Sequence, residues 1–184
     1  MILPWDELNT ISVKIQATET GTDESGKKRY DKEKCLDIIF DFLVYSYTLG
    51  VDNVNENMST SYAPQDAEMR RVINQKVAGR DFTERVTEYA EKGDLDAILK
   101  VAETDAHRVL NTASYETAKK AGAKYKTWVT MMDDRVRDTH DYLLAMTIPM
   151  DDYFVTYNGD KALRPGDFGI PEEDINCRCI LTFA

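Results

Sequence analysis

The sequence predicts an α+β fold, with a helical N-terminal two-thirds followed by a small β-rich C-terminal region. Three observations carry this. Between Asp31 and Lys120, apolar residues recur at three- and four-residue spacing, the helical period. Beyond Gly122, the run Tyr125 to Met131 and the closing run Cys179 to Phe183 are β-branched and aromatic, as strands are. The stretch between them is punctuated by Pro, Gly and the pair Asn158–Gly159, which mark turns. Helices first and strands afterwards is the α+β order, not the alternation of a parallel sheet. The length of 184 residues fits one main folding unit. We divide it into an arm or hairpin over 1–31, a helical region over 32–122 and a β-rich region over 123–184, with 32–184 as one compact domain.

Taken in order, Ile11, Val13 and Ile15 alternate with polar residues, a strand-like period of two. The polar, Gly-containing run Thr18 to Lys28 reads as a loop. Asp31 is placed to N-cap a helix whose Leu36, Ile39, Phe40, Leu43 and Tyr47 share a face, with Gly50 as its stop. Val51 to Ala63, rich in Asn, Ser and Thr, reads as a loop. Pro64 suits the first position of a helix over 65–77, which Gly79 breaks. A short helix over 81–92 follows, stopped by Gly93. Asp94 then caps the longest helix, which runs to about Lys120 on a stripe of Ile98, Val101, Ala102, Val109 and Ala113. Trp128 is the largest residue of the first strand, and a dense charged turn, Asp133 to His140, leads into a short helix. One more short strand falls within 150–157.

Charge and composition exclude several classes. Acidic residues number 33 and basic residues 23, a net charge of −10. Such a chain repels phosphate backbones, so direct nucleic-acid binding is disfavoured. The apolar fraction, 42%, is too high for a disordered acidic tail. No apolar run approaches the roughly 20 residues needed to cross a bilayer. Met1 to Trp5 has no basic leader region, and Asp6 and Glu7 follow at once, so the sequence reads as intracellular, with no membrane partner. Cys35, Cys177 and Cys179 have no disulfide-framework spacing.

Chemistry concentrates between Lys126 and Cys179, in Trp128, Asp134, Arg135, Arg137, His140, Asn176, Cys177, Arg178 and Cys179. A catalytic set needs a nucleophile beside a base, which Cys177 or Cys179 with His140 and Asp134 supplies on paper. The plainer reading is two small buried hydrophobes on one face of a strand. A metal reading uses His140, Cys177 and Cys179 as three soft ligands, with Asp134, Asp138 or Asp141 as a fourth, because structural zinc takes four. A second Cys-x-x-Cys pair would fall on Arg137 and His140, and Arg does not ligate. The alternative is an Arg–Asp–His network tying the charged turn to the last strand. Asp105 and Arg108 are spaced to pair beside His107 and Asn111, as on a solvated helix face or a packing lock. The acids Glu172, Glu173 and Asp174 lack calcium-loop spacing and read as acidic surface. There is no phosphate loop, no Gly-x-Ser-x-Gly elbow and no His-Glu-x-x-His helix. The residues therefore favour a structural lock over an enzyme, with no cofactor beyond an optional zinc.

From about Val77 to Phe183 the chain resembles the phage Mu F-like head morphogenesis proteins, also called minor head or minor capsid proteins. The resemblance rests on Gly79–Arg80–Asp81–Phe82–Thr83–Glu84–Arg85, on Thr104–Asp105 with Arg108 and Asn111, and on Lys126–Thr127–Trp128. It continues through Asp133–Asp134–Arg135–Val136–Arg137 with His140, Pro165–Gly166–Asp167, Pro171, and Ile175–Asn176–Cys177–Arg178–Cys179. Two departures stand out. Thr104–Asp105 replaces a common Thr-Glu, and Arg137 and His140 replace the Cys-x-x-Cys of members that look like zinc binders. The resemblance implies a non-catalytic role in head assembly and in genome packaging or delivery, with portal and capsid proteins as partners. It places the protein in the host bacterial cytoplasm during assembly and then in the virion head. Some relatives are fused to toxin domains; because this sequence closes soon after its Cys-Arg-Cys triplet, none is expected here.

Overall fold

Two long helices packed against each other frame everything else. The computed structural model describes residues 7–77 and 79–184, so the reading of Met1 to Asp6 lies outside the described residues. In chain order the elements are α1 (Leu8–Gln16), β1 (Glu19–Thr22), β2 (Lys28–Tyr30), α2 (Lys32–Met58), α3 (Asp66–Ile73), α4 (Phe82–Glu91) and α5 (Leu95–Lys120). Then come β3 (Tyr125–Val129), α6 (Asp138–Asp141), β4 (Thr147–Pro149), β5 (Phe154–Val155), β6 (Lys161–Ala162), α7 (Pro171–Asp174) and β7 (Ile180–Phe183). The α+β plan holds, with helices first and small sheets last.

Several elements differ from expectation, each for a physical reason. Residues 8–16 are helical, not a strand: Ile11 and Ile15 are buried four apart while Val13 is 68% exposed. Three apolar residues at every second position satisfy both periods, and packing against α2 and α5 selects the helix. The Gly-containing loop after it joins the antiparallel β1–β2 pair, the hairpin expected within 1–31. Asp31 caps α2 as expected, its side chain accepting from the Lys34 amide. Gly50 does not stop α2, which continues to Met58. Val51 and Val54 extend the buried stripe past Gly50, so burial outweighs the Asn-rich composition of that turn. Gly50 is instead a contact point: a Cβ there would strike the Leu110 carbonyl and lie 2.8 Å from the Ala113 Cβ, so only Gly lets α2 and α5 come this close. Pro64 lies before the N-cap residue Gln65, and α3 ends at Ile73, short of Val77. With 27 residues α2 exceeds α5, with 26, as the longest helix. Around Met150 to Tyr157, β5 pairs with β6, and β4 precedes both.

The core forms two clusters joined by the long helices. One gathers α1 to α4 against α5, from Ile11 and Ile15 through Ile39, Leu43, Val86, Ile98 and Val109. The other surrounds Trp128 and includes Val54 of α2, Tyr115 of α5, Phe154, Leu181 and both C-terminal cysteines. Its sheet has the order β4–β3–β7, antiparallel throughout, with Trp128 opposite Leu181. Asn53 of α2 donates to the Leu181 carbonyl at 2.9 Å, fastening β7 to the helical layer. Lys126 is fully buried on β3. Its ammonium donates to the Leu163 carbonyl at 2.7 Å and lies over the Tyr115 and Phe154 rings. Burial brings its pKa down to about 8.

Candidate functional site

The residues singled out between Trp128 and Cys179 converge in part. His140 sits on α6, buried, and its Nδ1 lies 3.5 Å from the Sγ of Cys177 and 3.5 Å from that of Cys179. Both sulfurs are buried and free of any disulfide. The imidazole is clamped by rings: Phe168 stacks on it at 5.5 Å, and Trp128 meets it edge-on at 5.4 Å. On the far side, its Nε2 lies 2.9 Å from a Glu173 carboxylate oxygen, which also accepts from the Thr139 hydroxyl at 2.8 Å. Glu173 comes from α7, which Pro171 opens at its first turn. A carboxylate behind the second ring nitrogen fixes which nitrogen faces the sulfurs.

The other residues play different parts. Asn176 adopts a left-handed backbone, φ 57°, which Asn tolerates better than most residues, and this turn brings Cys177 back over His140. Arg137 donates to the Ile175 and Glu173 carbonyls, tying the charged turn to the α7 segment. Arg178 pairs with Asp133, and that guanidinium holds the Asp133 carboxyl down at about 2. Asp133 remains partly open to water, so this pair anchors the turn at the surface and not in a dry interior. Arg135 is exposed, and its guanidinium reaches Asp133 at 3.5 Å. Asp134 is exposed and makes no polar contact among the described residues, so it belongs to no catalytic set with His140. Asp134, Asp138 and Asp141 do not join the metal-capable group, which is His140, Cys177 and Cys179.

Sequence reasoning missed two further groups. Glu173 was assigned to acidic surface and is buried, while its neighbour Asp174 accepts from the Phe168 and Gly169 amides. The signal was present in Pro171, which starts a helical turn and so points one acid of the run inward. The second group is on α5. His107 Nε2 donates to the Cys179 carbonyl at 2.7 Å, and Asn111 donates to the same oxygen at 3.1 Å. Burial lowers the His107 pKa to about 4, so the ring is neutral. Gly166, at φ +78°, crosses directly above this ring: a Cβ there would lie 3.2 Å from His107 Nδ1. The Asp105–Arg108 pair is buried, so of the two readings given to it the packing lock holds and the solvated face does not. Asp105 is held by Arg108 at 3.0 Å and by Arg85 of α4 at 2.6 Å.

Three donor atoms within 4.8 Å of one another suit a soft cation. Tetrahedral zinc, with bonds of about 2.3 Å to sulfur and 2.0–2.1 Å to nitrogen, sets neighbouring donors roughly 3.5–3.8 Å apart. The two 3.5 Å nitrogen–sulfur separations match, and the Glu173 carboxylate is where zinc sites place the partner of a ligating imidazole. The residues would therefore supply three of the four positions of such a site. Burial pushes the Cys177 thiol well up, while the hydrogen bond from Cys177, aided by His140, pulls Cys179 down to about 5. The corner thus favours one thiolate, the form that binds metals and attacks electrophiles. Substrate access is another matter: the cavity over the corner holds about 10 Å³, the volume of a single water at most.

A family description for Phage Mu protein F like protein matches residues 66–182, which contain α3 to α7 and nearly all of β7. The chain belongs to this family. The Phage Mu protein F like region takes in the whole Cys–His corner and the α5 residues that brace it. Among curated proteins, the minor head protein GP7 of Bacillus phage SPP1 is 35% identical over 85 residues, 45% of this chain and 28% of that protein. An NAD(+)–arginine ADP-ribosyltransferase, EFV, of Enterococcus faecalis is 38% identical over 85 residues, 44% of this chain and 17% of that protein. The match spans under a third of either relative. No solved structure matches. No helix among the described residues is long and apolar enough to cross a membrane.

Proposed function

We propose that this chain is a minor head protein of a phage or prophage, acting in head assembly without catalysis. In this reading it associates with portal and capsid proteins in the bacterial cytoplasm, aids genome packaging or delivery, and remains in the virion head. The family match over residues 66–182 carries the reading, and the minor head protein among its relatives supports it. The transferase relative does not redirect it, because the matched segment is 17% of that protein and the buried thiols here face a cavity too small for a substrate. The test is co-expression with the portal protein of the same phage or prophage. Co-purification and co-assembly are expected, and a portal that assembles with no trace of this chain overturns the proposal.

The Cys–His corner supports a second, compatible element of the proposal. His140, Cys177 and Cys179 would hold a structural Zn²⁺, which would supply a cross-link between α6 and the residues before β7. Elemental analysis of protein purified from zinc-replete cells checks this. About one zinc per chain is expected, falling to near zero in Cys177→Ser with Cys179→Ser. Clearly substoichiometric zinc in the parent chain sinks it.

A further inference from the structure

A second group of the family-like residues is not used by the Cys–His corner. It converges elsewhere, on an open cleft of about 620 Å³ between the α3–α4 connection, α4, α5 and the segment 164–175. Val77, Arg85, Thr104, Arg108, Gly166–Asp167, Pro171 and Ile175 all line it. The lining is mixed. Val77, Tyr89, Val101, Ile170 and Ile175 give it an apolar floor, and Lys76, Lys100, Arg85 and Arg164 stand around it.

The electrostatics of this cleft oppose those of the chain. The whole molecule carries −10, yet cations outnumber carboxylates here. The carboxylates are also already engaged. Asp105, behind the wall, is held by Arg85 and Arg108. Asp167 is held by Arg164 at 3.1 Å, and Asp174 by the Phe168 and Gly169 amides. Burial also raises both Asp167 and Asp174 above the ordinary carboxylate value. Lys76 and Lys100 are exposed and form no ion pair among the described residues. Arg85 and Arg164 each keep guanidinium donors beyond the bonds they make, since Arg has five. An apolar trough ringed by two exposed lysines and two arginines with donors to spare is complementary to a peptide that alternates apolar and acidic side chains.

We propose that this cleft is a docking site for an acidic, apolar-bearing peptide segment of a partner protein, seated between α4, α5 and the 164–175 segment. Apolar side chains enter toward Val101 and Ile175, and carboxylates pair with Lys76, Lys100 and the free edges of Arg85 and Arg164. The neutral floor gives area, and the cationic rim gives register and preference. The proposal stands on the cleft alone, so it and the portal association can fail separately.

The probe is a fluorescein-labelled twelve-residue peptide of alternating Leu and Glu, compared with its Leu/Gln and Leu/Lys counterparts by fluorescence anisotropy against the full chain. The Leu/Glu peptide is expected to bind at least tenfold more tightly than either counterpart, and to weaken as salt rises. Lys76→Glu with Lys100→Glu changes only exposed side chains and is expected to fold normally, as circular dichroism will show, yet to lose binding at least tenfold. Arg85 is left intact, because Asp105 depends on it. Hydrogen exchange should slow across residues 97–104 and 164–175 when the peptide is present. Equal binding of the three peptides, or unchanged binding by the double variant, overturns the proposal. A single-stranded DNA twelve-mer that displaces the peptide and binds more tightly also overturns it, in favour of phosphate recognition. So does a concentration-dependent dimer in sedimentation that the double variant abolishes, in favour of a second copy as occupant.

Discussion

Trp128 meets four kinds of neighbour at once, and the energetics of the corner follow from that. Its indole is fully buried and packs edge-on against His140, Phe154 at 5.0 Å and Phe168 at 6.0 Å, while its backbone pairs with Leu181 of β7. Trp128→Ala therefore opens a cavity under the imidazole and removes the wall that orients it. We expect a loss of about 3–5 kcal/mol in urea unfolding. An unchanged midpoint would mean that the indole is not part of the core. Rare residue types made this corner legible in the sequence: one of only two tryptophans, one of only two histidines, and a Cys-x-Cys pair. Glu173 was not legible, because acids are common on any surface and only its place on the short α7 turns it inward. Asp134 failed in the opposite direction. It is next to Asp133 in sequence, but the turn gives the Arg178 pair to Asp133 and leaves Asp134 in solvent. Arg178→Met accordingly leaves a hydrated carboxylate and not a stranded one, so its cost falls in the range of surface pairs.

Among elements, the α2–α5 contact decides the architecture. Both helices contribute to both core clusters, so the distance between them sets how the sheet sits on the helical layer. Gly50 fixes that distance. Its carbonyl also accepts from the Ser114 hydroxyl at 2.9 Å, a bond available only at close approach. Gly50→Ala would gain helix propensity on its own, roughly 1 kcal/mol. Here the added methyl meets backbone, which cannot move aside as a side-chain tip can. We expect a net loss of about 1–3 kcal/mol, with the thermal midpoint falling by several degrees. A midpoint that rises would show that the helices separate without cost. The same contact explains why the second half of α2 was hidden in the sequence. Gly50 and the Asn-rich residues after it have the local signature of a helix end, and only Val51 and Val54 packing from across the molecule carry the helix onward. The start of α1 was hidden for a related reason: three alternating apolar residues fit a strand as well as a helix until a tertiary partner chooses. Helices α4 and α5 were legible to within a residue because their caps are local. Asp81 and Glu84 form a reciprocal capping box, and Asp94 accepts from the Ala97 amide.

For the molecule as a whole, the two halves are joined through α5, and that junction carries a built-in dependence on pH. His107 and Asn111 both donate to the Cys179 carbonyl, so the helical layer holds the backbone of the cysteine segment through a neutral, buried imidazole. Its folded pKa, about 4, lies below the ordinary value of 6.5. The unfolded chain therefore binds a proton more readily than the folded one between these values. Stability is fully present above pH 6.5, declines as pH falls through the window, and levels off below about 4 as far as this group is concerned. Between pH 7.5 and pH 5 the expected loss is about 2 kcal/mol, from a shift of that size at 1.36 kcal/mol per unit. Asp133, held at about 2, titrates below this window, whereas the Cys179 thiol, at about 5, falls inside it and burial raises Asp167 and Asp174 toward it, so the comparison with His107→Gln is what assigns the slope. The measurement is urea unfolding at half-unit intervals from pH 7.5 to 4.5, on the parent chain and on His107→Gln. The variant is expected to start less stable, because the junction is altered, but to lose most of the slope. His140 is the only other histidine, so a slope that survives His107→Gln and vanishes in His140→Gln would move the titration to the cysteine corner and overturn this assignment.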